Sequence, residues 1–291
     1  MDSGIKDGLA TNALPICRPT ERTHDSTALP QAEIRDGRYL ARFAQSAQEI
    51  EAALRLRFEV FNLEMEEGLA SSFTTGLDKD EFDDSCHHLT IVDTQTEAVV
   101  GTYRLQTGEM ASASQGFYSA GEFDLSLLPT GLLENSVELG RACIAKDHRN
   151  TQVLFLLWKG IAAYVAHNQK RYLFGCCSLT SQDAFEGNEA LRFLRTNGHL
   201  HDRFRVVPKA GLECIPLART RVYGELHLSE HNPNEQRTQV NLPKLFKIYL
   251  RFGAKVCGPP AIDREFKTID FFVIFDVDSM EQRTHRMLFG A

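Results

Sequence analysis

Residues 137–150, VELGRACIAKDHRN, set a carboxylate and a guanidinium, Glu138 and Arg141, inside a run that otherwise reads as a buried strand. Charge in such a place is costly unless it is paired or put to use. A carboxylate there can take a proton as a general base, and a guanidinium fork can hold a substrate carboxylate in two bonds. Strand geometry sets a condition on any shared task, because residues three apart in a regular strand point to opposite faces. A bulge or splay between 139 and 143 is therefore expected, and Gly140 is the natural place for it. The plainer alternative is an ion pair between Glu138 and Arg141 that ties strands together.

Beyond the strand, the turn KDHRNTQ runs into the apolar segment VLFLLWKGIAAYVA, which reads as a buried helix. Backbone N–H groups at a helix N-terminus favour anions, and Lys146, His148 and Arg149 add positive charge there. There is no GxGxxG and no P-loop lysine, so neither dinucleotide-binding fingerprint applies. Seven cysteines include the adjacent pair Cys176 and Cys177 but no CxxC, and Cys86-His87-His88 lacks a matching second pair. No metal site is expected; the thiols and histidines are assigned to packing in a reducing compartment. A net charge of -7 speaks against a nucleic-acid binder. The N-terminus has no apolar signal core and no stretch is long enough to span a bilayer, so the expected location is cytoplasmic, at most peripheral to the inner membrane face.

The elements that must position these residues follow from periodicity. Residues 1–36 lack a pattern and are expected as a flexible tail, with a single α/β domain over 37–291. RYLARFA alternates like a strand. SAQEIEAALRLRFEVFNLEM reads as a helix capped by Ser46, with an apolar stripe that leaves Arg57 unexplained. The acidic loop GLDKDEFDDSC leads into the hairpin HHLTIVDTQTEAVVGTYRLQT, where Gly101 marks a bulge or a close approach. SVELGRACIA and RYLFGCCSL are strands around the buried helix. EGNEALRFLRTNG is a helix closed by Asn197-Gly198, and IDFFVIFDV is a closing strand. NLPKLFKIYLRFGAKVCGPPA reads as a basic amphipathic helix ended by Gly258-Pro259-Pro260. Such a helix either packs on the sheet or lies on an anionic membrane.

A strand carrying Glu and Arg, a basic turn and a helix resembles the core of the GNAT N-acyltransferase fold. RFEVF (Arg57, Phe61), FDDSC (Asp83), GTYRL (Arg104) and ELGR (Glu138, Arg141) resemble motifs of acyl-homoserine lactone synthases. From about 38 to 279 the ordered set VFNLEM, CHHLTIVD, VELGRACI, LLWKGIAAY, YLFGCCSL and LFKIYLRFGAKVCGPPAIDREFKTIDFFVIFDV resembles more closely the ornithine acyl-carrier-protein N-acyltransferases and their "hemolysin-like" relatives. The resemblance implies a GNAT-like mixed sheet and transfer of a fatty, 3-hydroxy or plain, acyl chain. The donor would be the phosphopantetheine thioester of acyl carrier protein (acyl-ACP), the acceptor an amino-acid amine, ornithine first, and no cofactor would be bound. Glu138 would act as base, Arg141 and Arg104 would hold the acceptor carboxylate, and Arg57, Phe61 and Asp83 would line the substrate site. Asp83 or Asp84 would face a cationic acceptor side chain. Arg149, Asn150, Thr151 and Gln152 would hold the phosphopantetheine, and Lys146, Lys159, Lys170 and Arg171 would meet the carrier protein. An autoinducer-type synthase using S-adenosylmethionine and a non-enzymatic lipid-binding protein are the rival classes.

Overall fold

The computed structural model describes residues 28–31, 33–215 and 240–290. Its sheet begins with β1 (Ile34–Asp36) antiparallel to β2 (Tyr39–Phe43). β1 falls inside the segment assigned to the N-terminal tail, and Leu29 is buried in the main core, so order reaches back before residue 37. Residues 1–27 of that expected tail lie outside the described residues.

Helix α1 (Ala47–Arg57) opens with a capping box. Ser46 Oγ accepts the Glu49 N–H, and the Glu49 carboxylate accepts the Ser46 N–H, which satisfies two orphan donors of the first turn. The expected long helix does not stay α-helical. It widens into a π-helical stretch over Phe58–Glu64, where the Met65 N–H reaches the Val60 carbonyl. Such insertions are rare and gather at functional sites. A short helix α2 (Ser72–Thr75) precedes the hairpin β3 (His87–Asp93) and β4 (Ala98–Thr107). Gly101 serves both expected roles: the register shifts beside it, and a Cβ there would sit 3.3 Å from both Ile91 and Val153.

Short helices α3 (Gly108–Ser112) and α4 (Thr130–Glu134) lead to β5 (Ser136–Ile144), helix α5 (Thr151–His167) and β6 (Tyr172–Leu179). α6 (Ala184–Thr196), α7 (Lys244–Arg251), β7 (Lys255–Val256), β8 (Ala261–Asp263), β9 (Thr268–Asp276) and α8 (Gln282–Phe289) complete the described chain. The sheet runs β1-β2-β3-β4-β5-β6-β9-β7, with β8 also on β9. Every pairing is antiparallel except β5 with β6, which α5 joins as a crossover. One core lies between the sheet, α5 and α7. A second, built around Phe123, Phe174 and Phe272, fills the other face.

β5 breaks where the sequence requires it. Thr102 pairs with Cys143 and Arg104 with Gly140, so Arg141 and Ala142 together oppose the single residue Tyr103. The left-handed residue of this bulge is Arg141, at φ +48, rather than Gly140. A side chain in that region is uncommon, and Arg141 is held there by its own contacts, described below. On the other edge, β5 pairs with β6 only through Ser136–Glu138 against Tyr172–Phe174 and then diverges. Gly175 stands at the parting point, where a Cβ would fall 2.2 Å from the Leu139 carbonyl oxygen.

α7 is shorter than the helix expected up to Gly258. It stops at Arg251 because Gly253, at φ +101, turns the chain, and the Ala254 N–H closes back on the Tyr249 carbonyl. Its apolar side packs inward, with Phe246 against Phe271 and Tyr249 against Trp158. Among the described residues no helix is long and apolar enough to cross a membrane.

Candidate active site

Three arginines from three elements converge on the acidic loop after α2. Arg57, the last residue of α1, donates from Nε to Asp78 Oδ1 at 2.7 Å and from Nη1 to Asp83 Oδ1 at 2.6 Å. Arg104 of β4 donates from Nη1 to Asp80 Oδ1 at 2.5 Å and to Asp83 Oδ1 at 3.2 Å. Arg141 donates from Nε and Nη2 to the two oxygens of Asp78. Three positive and three negative charges thus cancel within one buried lattice. Burial alone would raise the Asp83 carboxyl, but Arg57 and Arg104 outweigh it and hold the group well below the usual carboxylate range. Burial likewise works against the charge on Arg104, and Asp83 and Asp80 reverse it. The Arg141 guanidinium lies between the rings of Phe61 and Phe266, 4.1 and 4.7 Å from their centroids. Its Nη1 donates to none of the described residues.

The parting of β5 and β6 opens a cavity of ≈ 290 Å³. Trp158, Leu173, Phe246 and Phe275 form part of its apolar wall, while Glu138, Ser119, Arg141 and Arg104 are among its polar groups. Glu138 does not pair with Arg141. Its carboxylate instead accepts the Tyr118 and Ser119 N–H groups, each at 2.7 Å, and the Ser119 hydroxyl at 2.5 Å. Burial raises its pKa and these donors pull it back, leaving it above the ordinary value. Cys176 Sγ lies 3.5 Å from Ser119 Oγ and 3.8 Å from Glu122 Oε2, so its single S–H can donate to one or the other. Burial pushes its thiol far above the ordinary range, so it presents no thiolate for nucleophilic attack near neutral pH. The backbone of β5 past Glu138 has no strand partner on its β6 side.

Of the residues singled out by sequence, Phe61, Arg104, Glu138 and Arg141 line the cavity. Arg57 and Asp83 sit behind it in the charge lattice, with Asp83 fully enclosed, and Asp84 pairs at the surface with Lys79 at 3.2 Å. Asp83 is therefore committed to arginines rather than turned toward a ligand. The turn Arg149–Gln152 does not line the cavity. Arg149 grips the Glu64 carboxylate at 2.6 and 2.7 Å and the Ile144 carbonyl. Asn150 caps α5 through the Val153 N–H, Gln152 ties down Asp36, and the Thr151 and Gln152 N–H groups at the helix start donate to no described residue. Beside the turn Lys146 is exposed; Lys170 and Arg171 lie past the opposite end of α5, where Lys170 is held by Glu109 and Arg171 by Asp276. His87 and His88 are buried, His87 against the Tyr164 hydroxyl. Sequence reasoning missed Asp78 and Asp80, which share the acidic loop with Asp83, and Ser119, which has no local signal.

The acetyltransferase (GNAT) domain family matches residues 56–159. The chain is 33% identical over 250 residues to the L-ornithine N(alpha)-acyltransferase of Rhizobium meliloti, covering 83% of this chain and 81% of that one. The chain belongs to this acyltransferase family. The L-ornithine N(alpha)-acyltransferase of Rhodobacter capsulatus is 32% identical over 255 residues, 85% of this chain and 93% of its own. Among solved structures, the N-acyl amino acid synthase FeeM from uncultured soil microbes aligns at a TM-score of 0.48 and 12% identity, covering 84% of this chain and 95% of its own. As a family member the protein is an acyltransferase with a GNAT fold and takes an acyl donor as co-substrate.

Proposed function

We propose that the protein transfers a fatty acyl chain from the phosphopantetheine thioester of acyl carrier protein to the α-amine of L-ornithine, giving a lyso-ornithine lipid. The observation that carries this reading is the cavity between the parted strands, apolar along its wall and bearing Glu138, Ser119 and Arg141 among its polar groups. An acyl chain suits the apolar part, and the thioester carbon lies beside the free edge of β5. The unpaired N–H groups at the start of α5 and the turn Arg149, Asn150, Thr151 and Gln152 suit the phosphate of the phosphopantetheine arm. Exposed Lys146 adds positive charge for an acidic carrier protein.

The acceptor carboxylate docks on the free Nη1 of Arg141, while Arg104, paired with Asp80 and Asp83, holds the acidic loop behind it in place. Asp78 and the two phenylalanine rings hold Arg141 in place, so little side-chain freedom is lost on binding. The amine attacks the thioester carbon as its proton passes to Ser119 Oγ, whose own proton moves to Glu138 Oε1. A free backbone N–H of β5 receives the oxyanion. Collapse forms the amide, breaks the C–S bond and returns the proton from Glu138 to the departing thiolate. The exposed cations of α7, Lys244, Lys247 and Arg251, suit peripheral contact with an anionic membrane at its cytoplasmic face, where the amphiphilic product would leave.

The test is incubation with a long-chain acyl-ACP and a panel of amino acids, following free carrier thiol and the mass of the product. Thiol release with ornithine and formation of N-acyl ornithine are expected. Release only with S-adenosylmethionine overturns the reading in favour of an autoinducer synthase, and no release with any acceptor overturns it in favour of a lipid-binding protein.

A further inference from the structure

The mechanism above leaves one group of acids unused, two of them buried and the third, Asp263, half-buried. Asp263 at the end of β8, Asp270 of β9 and Glu122 from the segment after α3 bring one carboxylate oxygen each to within 4.8 Å of one another. Asp263 and Asp270 line the same cavity as Glu138 and Arg141. Asp270 is 3% exposed and Glu122 7%, yet Asp270 Oδ1 and Glu122 Oε1 receive no hydrogen bond from an N–H or hydroxyl donor among the described residues. Buried oxygens in that condition are uncommon and require an explanation.

The charge balance supplies one. Arg57, Arg104 and Arg141 are neutralised by Asp78, Asp80 and Asp83. The charges that act most strongly on Glu122 are Asp270 and Asp263, both negative. Burial and this repulsion keep Glu122 protonated and turned toward Asp270, so a proton stands where a cation is missing. The position also fits the acceptor. Cys176 Sγ lies within 3.5 Å of Ser119 Oγ on one side and 3.8 Å of Glu122 Oε2 on the other, so the acids stand one side chain away from the proton relay.

We propose that Glu122, Asp263 and Asp270 form the subsite for the side-chain ammonium of a diamino-acid acceptor, an inference that rests on the acyltransferase reading above. The acceptor is then held at three points: its carboxylate on Arg141, its α-amine at Ser119 and Glu138, and its distal ammonium among the three acids. An amino acid with an apolar side chain would leave the acids unpaired and binds weakly for that reason.

The experiment compares ornithine with norvaline, which has the same carbon chain without the distal amine, in the wild type, Asp263→Asn and Glu122→Gln. Asp263→Asn is the gentler change, because an amide oxygen can still accept the Glu265 and Phe266 N–H groups that Asp263 Oδ1 now holds at 2.8 and 3.0 Å. The wild type is expected to favour ornithine by roughly 100-fold or more in kcat/KM. Each variant lowers that preference by about tenfold or more, chiefly through KM for ornithine, and leaves norvaline turnover unchanged. Calorimetric titration of the protein with ornithine and with norvaline reads the same subsite without turnover. Wild-type enzyme that uses norvaline as well as ornithine, or variants that lose both acceptors equally, overturns the proposal. So does a divalent cation, titrated into chelator-treated protein, that binds in the wild type but not in Asp263→Asn and is required for transfer. Selective ornithine binding without acyl transfer strikes the acyltransferase reading alone and leaves the subsite standing.

Discussion

At the scale of single residues, the two charges of β5 have separate partners. Glu138 anchors Tyr118 and Ser119, and Arg141 joins the lattice of Asp78, Asp80 and Asp83. The expected alternative of a Glu138–Arg141 ion pair is not formed. If Glu138 takes the amine proton, Glu138→Gln lowers kcat by about 100-fold or more in a chain that still folds, with stability lower by about 1–3 kcal/mol because the amide NH2 cannot accept the Tyr118 N–H. An amide would still accept from Ser119 but cannot take a proton. Wild-type turnover in that variant removes Glu138 from the chemistry. Arg57 belongs to the lattice and not to the cavity, so Arg57→Met should act first on stability. Removing one partner of a buried ionic group costs about 3–5 kcal/mol, which urea unfolding of the variant measures directly. A change within a few tenths of a kcal/mol would show that the lattice contributes little.

At the scale of elements, the parting of β5 from β6 is what creates a cavity, and two local features hold it open. One is the bulge at Arg141, which takes β5 out of regular pairing with β4. The other is Gly175, whose missing side chain admits the Leu139 carbonyl. Gly175→Ala would press a methyl group against backbone oxygen, and neither strand can yield without shifting the cavity wall. We expect lower thermal stability and at least a tenfold loss of kcat/KM, measured by calorimetry and by thiol release; a loss of this order follows when reacting groups are displaced by about an ångström. Unchanged kinetics would mean that the parting is set elsewhere. The longer elements, β2 to β6, α1, α5, α6, α7 and β9, were legible in the sequence because periodicity reports which side of a strand or helix is buried; the short β1, α2, α3, α4, β7, β8 and α8 carry too few residues to show a period. Element ends were less so: α1 passes into a π-helical stretch, and α7 ends at Gly253 instead of Gly258. The first depends on what the neighbouring chain packs against; the second is set by Gly253, a nearer stop than Gly258-Pro259-Pro260.

At the scale of the whole molecule, buried titratable groups tie stability to pH. Burial pushes His88 down to about 4 from 6.5; Asp83 pulls the other way while Arg57 and Arg104 reinforce the shift. The folded-state value is the lower one, so the unfolded chain binds the proton more readily. Stability from the neutral imidazole is complete above pH 6.5 and is lost as pH falls toward 4. At about 1.4 kcal/mol per unit, the loss is about 3 kcal/mol. Asp83 acts in the same direction at lower pH, because its folded-state pKa lies below the unfolded value and its contribution disappears on acidification. Urea unfolding of wild type and His88→Gln at pH 7 and pH 4 isolates the histidine. The difference between the two proteins should shift by about 3 kcal/mol against the wild type on acidification, and parallel pH profiles would contradict the burial argument.

The sequence by itself determined the order of the longer elements and the need for a break in β5, and the resemblance of its ordered motifs implied the GNAT-like architecture and put Arg57, Asp83, Arg104 and Arg141 in one region. These follow from periodicity, from the cost of burying charge and from the ordered motifs, all of which are written along the chain. Only the tertiary structure decided which acid meets which arginine, that Glu138 rests on Ser119, and that Glu122 joins Asp263 and Asp270. Those contacts link segments tens to more than a hundred residues apart. Their partners are chosen by the packing of strands and loops in space, and no local spacing encodes that choice.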